Sequence, residues 1–248
     1  MNDVKIPKWL EWASVPIVLG ALAFFTFKTP TLEPNDRTRG LSERMASEDV
    51  AECCRAVWSV LELKPDDAVT LTHELIGLLT DETEADEETA EAYHRNMEKR
   101  AGPLSGFYVP KTIRIGDLAA HVLGCIWKNL VIETAGEGGP TTLLAAYRKA
   151  VNQKVVPMLC TGGSEVKTRI LWDVLVGDTD SSPMQTVIAC CLSDANAQVR
   201  AASLALFFTY VHSDRSKVLA VRPQIEALKA DPDPGVRMLA GHVLDLLK

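Results

Sequence analysis

The residues here that could do chemistry are a few histidines, cysteines and carboxylates at helical spacing. Glu91 and His94 stand three apart, half of the carboxylate–histidine pattern with which helical bundles hold paired metal ions; the second half is missing from the sequence. Asp117 and His121 stand four apart, so they share a helix face and could orient an imidazole as a base, yet no nucleophile or phosphate-binding loop accompanies them. Gly162-Gly163-Ser164 with Lys167 has the glycines and the cation of a phosphate loop without the G-x-x-x-x-G-K-[ST] spacing, and no strand is predicted before it. It reads as a turn. No catalytic constellation, metal site or cofactor site is expected.

The six cysteines are Cys53, Cys54, Cys125, Cys160, Cys190 and Cys191, with no C-x-x-C spacing, which argues against zinc. All but Cys160 lie in apolar helical runs, where a free thiol behaves as a small buried hydrophobe. The expectation is core thiols in a reducing compartment, with the folded part facing the cytosol.

The elements that must position these residues are all helical. Val50, Cys53, Cys54, Val57 and Leu61 fall at helical spacing behind a start near Ser47, and a second helix is expected from Asp66 to Leu79. Residues 81–91 carry seven acids and no base, as an exposed loop or the first turns of the next helix. Residues 106–115 have β character around Pro110 and read as extended loop or a small edge hairpin. Asp117 opens a strongly apolar helix closed by the glycines of 136–139, and another follows in which Pro157 should kink or break the chain.

The N-terminus differs in kind. From Trp9 to Phe27 the chain is apolar all round, and at about 1.5 Å per residue it would just cross a bilayer. Trp9 and Trp12 suit a headgroup interface, with Ile17, Leu19, Leu22, Phe24, Phe25 and Phe27 in the hydrocarbon. A cleaved signal ending at Ala21-Leu22-Ala23 and a buried core helix are the competing readings; a single-pass anchor fits best. Lys5 and Lys8 before the segment and Lys28, Arg37 and Arg39 after it leave its orientation to the cysteine argument.

The best-specified part of the chain is found by comparing it with itself. IACCLSDANAQVRAASLAL at 188–206 and IEALKADPDPGVRMLAGHV at 225–243 align at a shift of 37, matching Asp194 with Asp231, Val199 with Val236 and Arg200 with Arg237. Val166 and Lys167, 33 residues before Val199 and Arg200, are a degenerate earlier copy. The pattern resembles the HEAT (armadillo-type) family of helical repeats over 183–248 and more loosely over 140–182, with a period shorter than the roughly 40–47 residues usual there. The resemblance implies a right-handed α-solenoid of short helix pairs whose Arg200 and Arg237 are scaffold residues, with Asp194 and Asp231 pairing with them or capping the second helix. The whole reads as all-α: an anchor at 1–28, a linker at 29–40, an irregular helical cap at 41–139 and repeats at 140–248.

At 248 residues and 47% hydrophobic the chain can bury a good core, and its net charge of −7 equals the excess of the 81–91 segment, so no basic stripe marks a nucleic-acid binder. What the resemblance implies is an anchored scaffold or adaptor that docks a partner protein, as an accessory or assembly subunit of a membrane complex. The alternative is an enzyme resembling bilin lyases or repeat-type glycosylases, which carry similar repeats. Trp172, Phe207, Phe208 and Tyr210 are candidates for packing first and partner contact second.

Overall fold

Residues 35–99, 110–134, 142–175 and 184–248 are described by the structure, a computed structural model. Among them there is no strand, only an isolated antiparallel bridge between Glu84 and Arg114, and the fold is all-α. The anchor residues Trp9, Trp12, Ile17, Leu19, Leu22, Phe24, Phe25 and Phe27 lie outside the described residues.

The linker expected to run to residue 40 ends sooner. Helix α1 (Asp36–Met45) starts from Asn35, whose side chain accepts the Thr38 N–H, and Leu41 and Met45 enter the core. Helix α2 (Val50–Ser59) begins at Asp49, which caps the Glu52 N–H, and buries Cys53, Cys54, Ala56 and Val57. The single helix expected from Asp66 to Leu79 is two: α3 (Pro65–Thr70) and α4 (Thr72–Leu78), broken at Leu71. The Thr70 and Thr72 hydroxyls donate back to the Asp67 and Val69 carbonyls, competing for the acceptors on which a continuous helix depends.

The acidic stretch divides between both expectations. Residues 81–86 form a loop that ends in Asp86, the cap of α5 (Glu87–Lys99), where it accepts from both the N–H and the hydroxyl of Thr89. The segment at 110–114 lies against this loop, with Ala85 N–H donating to Ile113 O and Ile115 N–H to Thr83 O.

Helix α6 (Ile115–Thr134) is the centre of the packing and starts two residues ahead of the expected Asp117. Its Ile115–Ile132 window is long and apolar enough to cross a membrane, but 67% of it is buried inside the protein, as in the core helix of a folded domain. Helix α7 (Thr142–Ala150) packs on it through Tyr147, whose hydroxyl donates to Leu123 O. It widens into a π turn over Val151–Val155 before Pro157, which breaks the helix as expected; α8 (Met158–Thr161) follows. Proline lacks an N–H and crowds the carbonyl four residues back, and the wide turn accommodates it. Helix α9 (Ser164–Arg169) continues as a second π turn, Ile170–Leu175.

The rest comprises α10 (Met184–Cys190), α11 (Ala197–Ser213), α12 (Arg215–Leu219), α13 (Arg222–Ala227) and α14 (Pro234–Leu246). Helix α9 with its π turn lies between α6 and α11, and α11 lies against α14. On the other side α10 packs on α8, α12 on α11 and α13 on α14. With neighbours on several sides, α11 buries Val199, Ala202, Leu204, Ala205, Leu206, Phe207 and Tyr210 instead of one stripe.

Candidate functional site

Two turns, 37 residues apart, are built the same way. In the first, Asp194 Oδ1 accepts the Asn196 N–H at 2.9 Å, and Asn196 Oδ1 caps α11 by accepting the Gln198 N–H at 2.8 Å. In the second, Asp231 Oδ1 accepts the Asp233 N–H at 2.9 Å, and Asp233 Oδ1 caps α14 by accepting the Val236 N–H at 3.0 Å. Arg200 Nη1 donates to the Asp194 and Ala195 carbonyls at 2.7 and 3.0 Å; Arg237 Nη1 donates to those of Asp231 and Pro232 at 2.7 and 2.9 Å. Val199 and Val236 beside them are fully buried. Capping falls to Asn196 and Asp233, two residues beyond the expected Asp194 and Asp231, because those aspartates brace the turn itself.

The same aspartates receive a cation from the preceding unit. Lys167 in α9 donates to Asp194 Oδ2 at 2.8 Å, and Arg200 in α11 grips Asp231 with Nε and Nη2, both at 2.7 Å. Arg114, just before α6, reaches Glu165 in the first turn of α9 in like fashion. The hydrogen bonds from Arg200 hold the Asp231 carboxyl below the usual carboxylate range. At Asp194 burial pushes upward, but Lys167, the Asn196 N–H and Arg200 together outweigh it and the shift is again down. Beside this ladder runs a groove of about 480 Å³, lined by Ile188, Leu192 and Leu228 and floored by Asp194, Arg200 and Asp231. Its shape and apolar walls suit a side chain or short segment of another molecule.

A second polar layer lies where α6 meets α9. Arg169 is 1% exposed and donates to Asp117 Oδ1 at 3.1 Å and to Leu79 O at 2.7 Å, with Glu82 at 3.2 Å. Burial pushes the Asp117 carboxyl up against the pull of Arg169. One turn along each element, His121 faces Asp173: Nδ1 is 3.9 Å from Oδ1, and the imidazole is stacked on Trp58, with ring centroids 5.7 Å apart, beside Tyr93. Burial alone would lower the His121 pKa, but Asp173 and Cys125 together outweigh it and hold it above the ordinary value. Two glycines of α6 make room for this layer. A Cβ on Gly116 would collide with the Arg169 guanidinium, and one on Gly124 with the Asp173 carbonyl oxygen.

Of the residues singled out by spacing, Asp117 is taken by Arg169 on α9, while His121 faces Asp173 of the π turn at 3.9 Å, and its Nδ1 makes no hydrogen bond. Those partners were missed; charges four apart inside the otherwise apolar run from Ile170 to Leu175 and its approach were the available signal. Glu91 pairs with Arg95 at 3.2 Å, and no group of three or more metal-ligating side chains occurs among the described residues. Gly163 sits at the start of α9, and Lys167 serves the ladder. Phe207 and Tyr210 are fully buried; Phe208 is half-buried against His212, and Trp172 is half-buried. Cys53, Cys54 and Cys191 are the buried free thiols expected, but Cys190 is in a disulfide with Cys160, because the ends of α8 and α10 meet. No protein-family model matches this chain, and comparison with curated proteins finds no relative.

Proposed function

We propose that this chain is a membrane-anchored scaffold of short HEAT-like helix pairs, a right-handed α-solenoid that docks a partner protein as an accessory or assembly subunit of a membrane complex. The observation that carries this reading is the recurrence of one turn, Asp194-x-Asn196 and Asp231-x-Asp233, with a cation handed from each unit to the next. Contacts passed from each unit to its neighbour are what a stack of repeats requires, and such stacks serve as extended binding surfaces. The groove at the ladder is the docking place, and Trp9 to Phe27 is the single-pass anchor. No nucleic acid is involved. His121, 1% exposed beneath Trp58 and Tyr93, is walled off as packing, which favours docking over the helical-repeat-enzyme alternative. The cytosolic orientation rested on free thiols, and the Cys160–Cys190 bond takes two of the six out of that argument. Labelling the two termini from opposite sides of an intact membrane decides it.

Affinity purification from detergent-solubilised membranes tests the whole reading. The full-length chain should pellet with membranes and bring down a defined protein; a version starting at residue 35 should be soluble; Leu228→Glu in the groove should fold and lose the partner. A full-length chain that is soluble and solitary overturns both anchor and docking.

A further inference from the structure

Cys160 lies near the end of α8 and Cys190 closes α10; a disulfide joins them across a sequence separation of 30, with their Cα atoms 5.0 Å apart. Cys160 is an exposed residue and Cys190 a half-buried one, so the bond lies at the surface of the helix pair and not in its core. The helix it ties down, α10, supplies part of the ladder groove. Ile188 and Leu192, which flank Cys190 in sequence, line that groove, and the Cys190 carbonyl accepts at 3.4 Å from the same Lys167 ammonium that pairs with Asp194.

Beneath the bond lies a contact that does not need it. Leu159, Val187, Cys191 and Leu192 are buried, and the Cys191 thiol is 3.7 Å from the Leu159 carbonyl. Cys191 adjoins the disulfide without competing for it. Burial pushes its thiol up to about 11, so at neutral pH it is not the thiolate that attacks a disulfide.

We propose that Cys160–Cys190 is a reversible redox clasp that fixes α10 and with it one wall of the groove. The co-reactant is a dithiol. Its thiolate attacks Cys160 Sγ, on the more exposed residue of the pair; the Cys160–Cys190 bond breaks, and Cys190 leaves as thiolate and takes up a proton. The second thiol, as thiolate, then attacks the reductant's own sulfur in the mixed disulfide; the bond to Cys160 breaks, Cys160 leaves as thiolate and takes up the other proton, and the reductant departs as a disulfide. Two electrons and two protons pass to the protein, and an oxidised dithiol reverses the exchange. Reduction leaves the apolar contact in place, so α10 loosens while the rest of the domain stays folded. The clasp stands on the disulfide and the packing beneath it, and holds whether or not the groove is where a partner docks.

Hydrogen exchange on the purified full-length protein tests this, with and without dithiothreitol and with cysteine oxidation followed by alkylation. Before reduction, alkylation in denaturant should find four of the six cysteines free, and after it all six. Reduction should speed exchange of the 184–192 amides on the order of tenfold, as expected for a local opening, and leave α11 and α14 unchanged. Cys160→Ser should show the fast state with or without reductant, and oxidised glutathione should restore the slow state in the wild type only. Six free cysteines before reduction, unchanged exchange after verified reduction, or an equal rise in α11 and α14 would each overturn the clasp, the last by making the bond a staple of the whole domain.

Discussion

The Arg200 guanidinium holds the Asp231 carboxylate by two parallel hydrogen bonds of 2.7 Å while its remaining nitrogen is spent on the carbonyls of its own turn. Both partners are largely buried at the edge of the groove they line, and the pair joins α11 to the turn that starts α14 by a bidentate, charge-assisted contact.

Arg200→Ala should therefore cost about 3 kcal/mol of unfolding free energy, because it strands a buried carboxylate. Arg237→Ala, at an exposed arginine that contacts carbonyls, should cost below about 1 kcal/mol. Urea denaturation of the two variants checks the contrast, and equal losses would mean that the cross-unit grip adds nothing.

Arg169→Met should destabilise by about 3–5 kcal/mol, since Asp117 loses its counter-charge and must either stay charged and unpaired in the core or take up a proton. Adding Asp117→Asn should recover part of that loss while keeping the acceptor for the Arg114 N–H. A double variant no more stable than the single one would show that the guanidinium matters by packing alone.

At Gly124 the Asp173 carbonyl oxygen occupies the space a Cβ needs, and backbone cannot step aside as a side-chain tip can. Gly124→Ala is expected to cost at least about 1–3 kcal/mol. Gly40, inside α1 with nothing near its Cβ position, should behave in the opposite way, Gly40→Ala stabilising by about 1 kcal/mol. Thermal melts of both variants give the signs.

His121 supplies a pH dependence. Its folded pKa is raised, so its contribution is fully present below the unfolded value of about 6.5 and is lost as pH rises through the folded one. The stability difference between wild type and His121→Gln should shrink across that interval, and Asp173→Asn should flatten it. Urea midpoints taken from pH 5.5 to 9 would contradict this if the wild-type advantage grew with pH.

What could be read without coordinates followed from local rules. The helical character, the break at Pro157 and the recurrence of Asp194, Val199 and Arg200 at Asp231, Val236 and Arg237 depend on periodicity and on self-comparison, and both are properties of short windows. The layer that joins Asp117 to Arg169 and His121 to Asp173 spans 52 residues of chain, and nothing within either window names the other. The Cys160–Cys190 bond was hidden for the same reason: each cysteine reads as a small residue near a helix end until α8 and α10 are brought together. The split at Leu71 escaped because the apolar spacing runs through it, while the threonine hydroxyls that interrupt the backbone leave that spacing intact.

The wide turn at Val151–Val155 acts as a phase setting. Each residue of a regular helix advances the winding by about 100°, and a π turn spends one residue more on about the same rotation, so excising one residue from that turn would restore ordinary winding and leave Leu159 toward the core and Cys160 toward Cys190. A second excision has no spare residue to draw on and would swing everything beyond it by that angle. The segment thus holds a reserve of one residue, and the meeting of the two cysteines depends on a count several positions upstream.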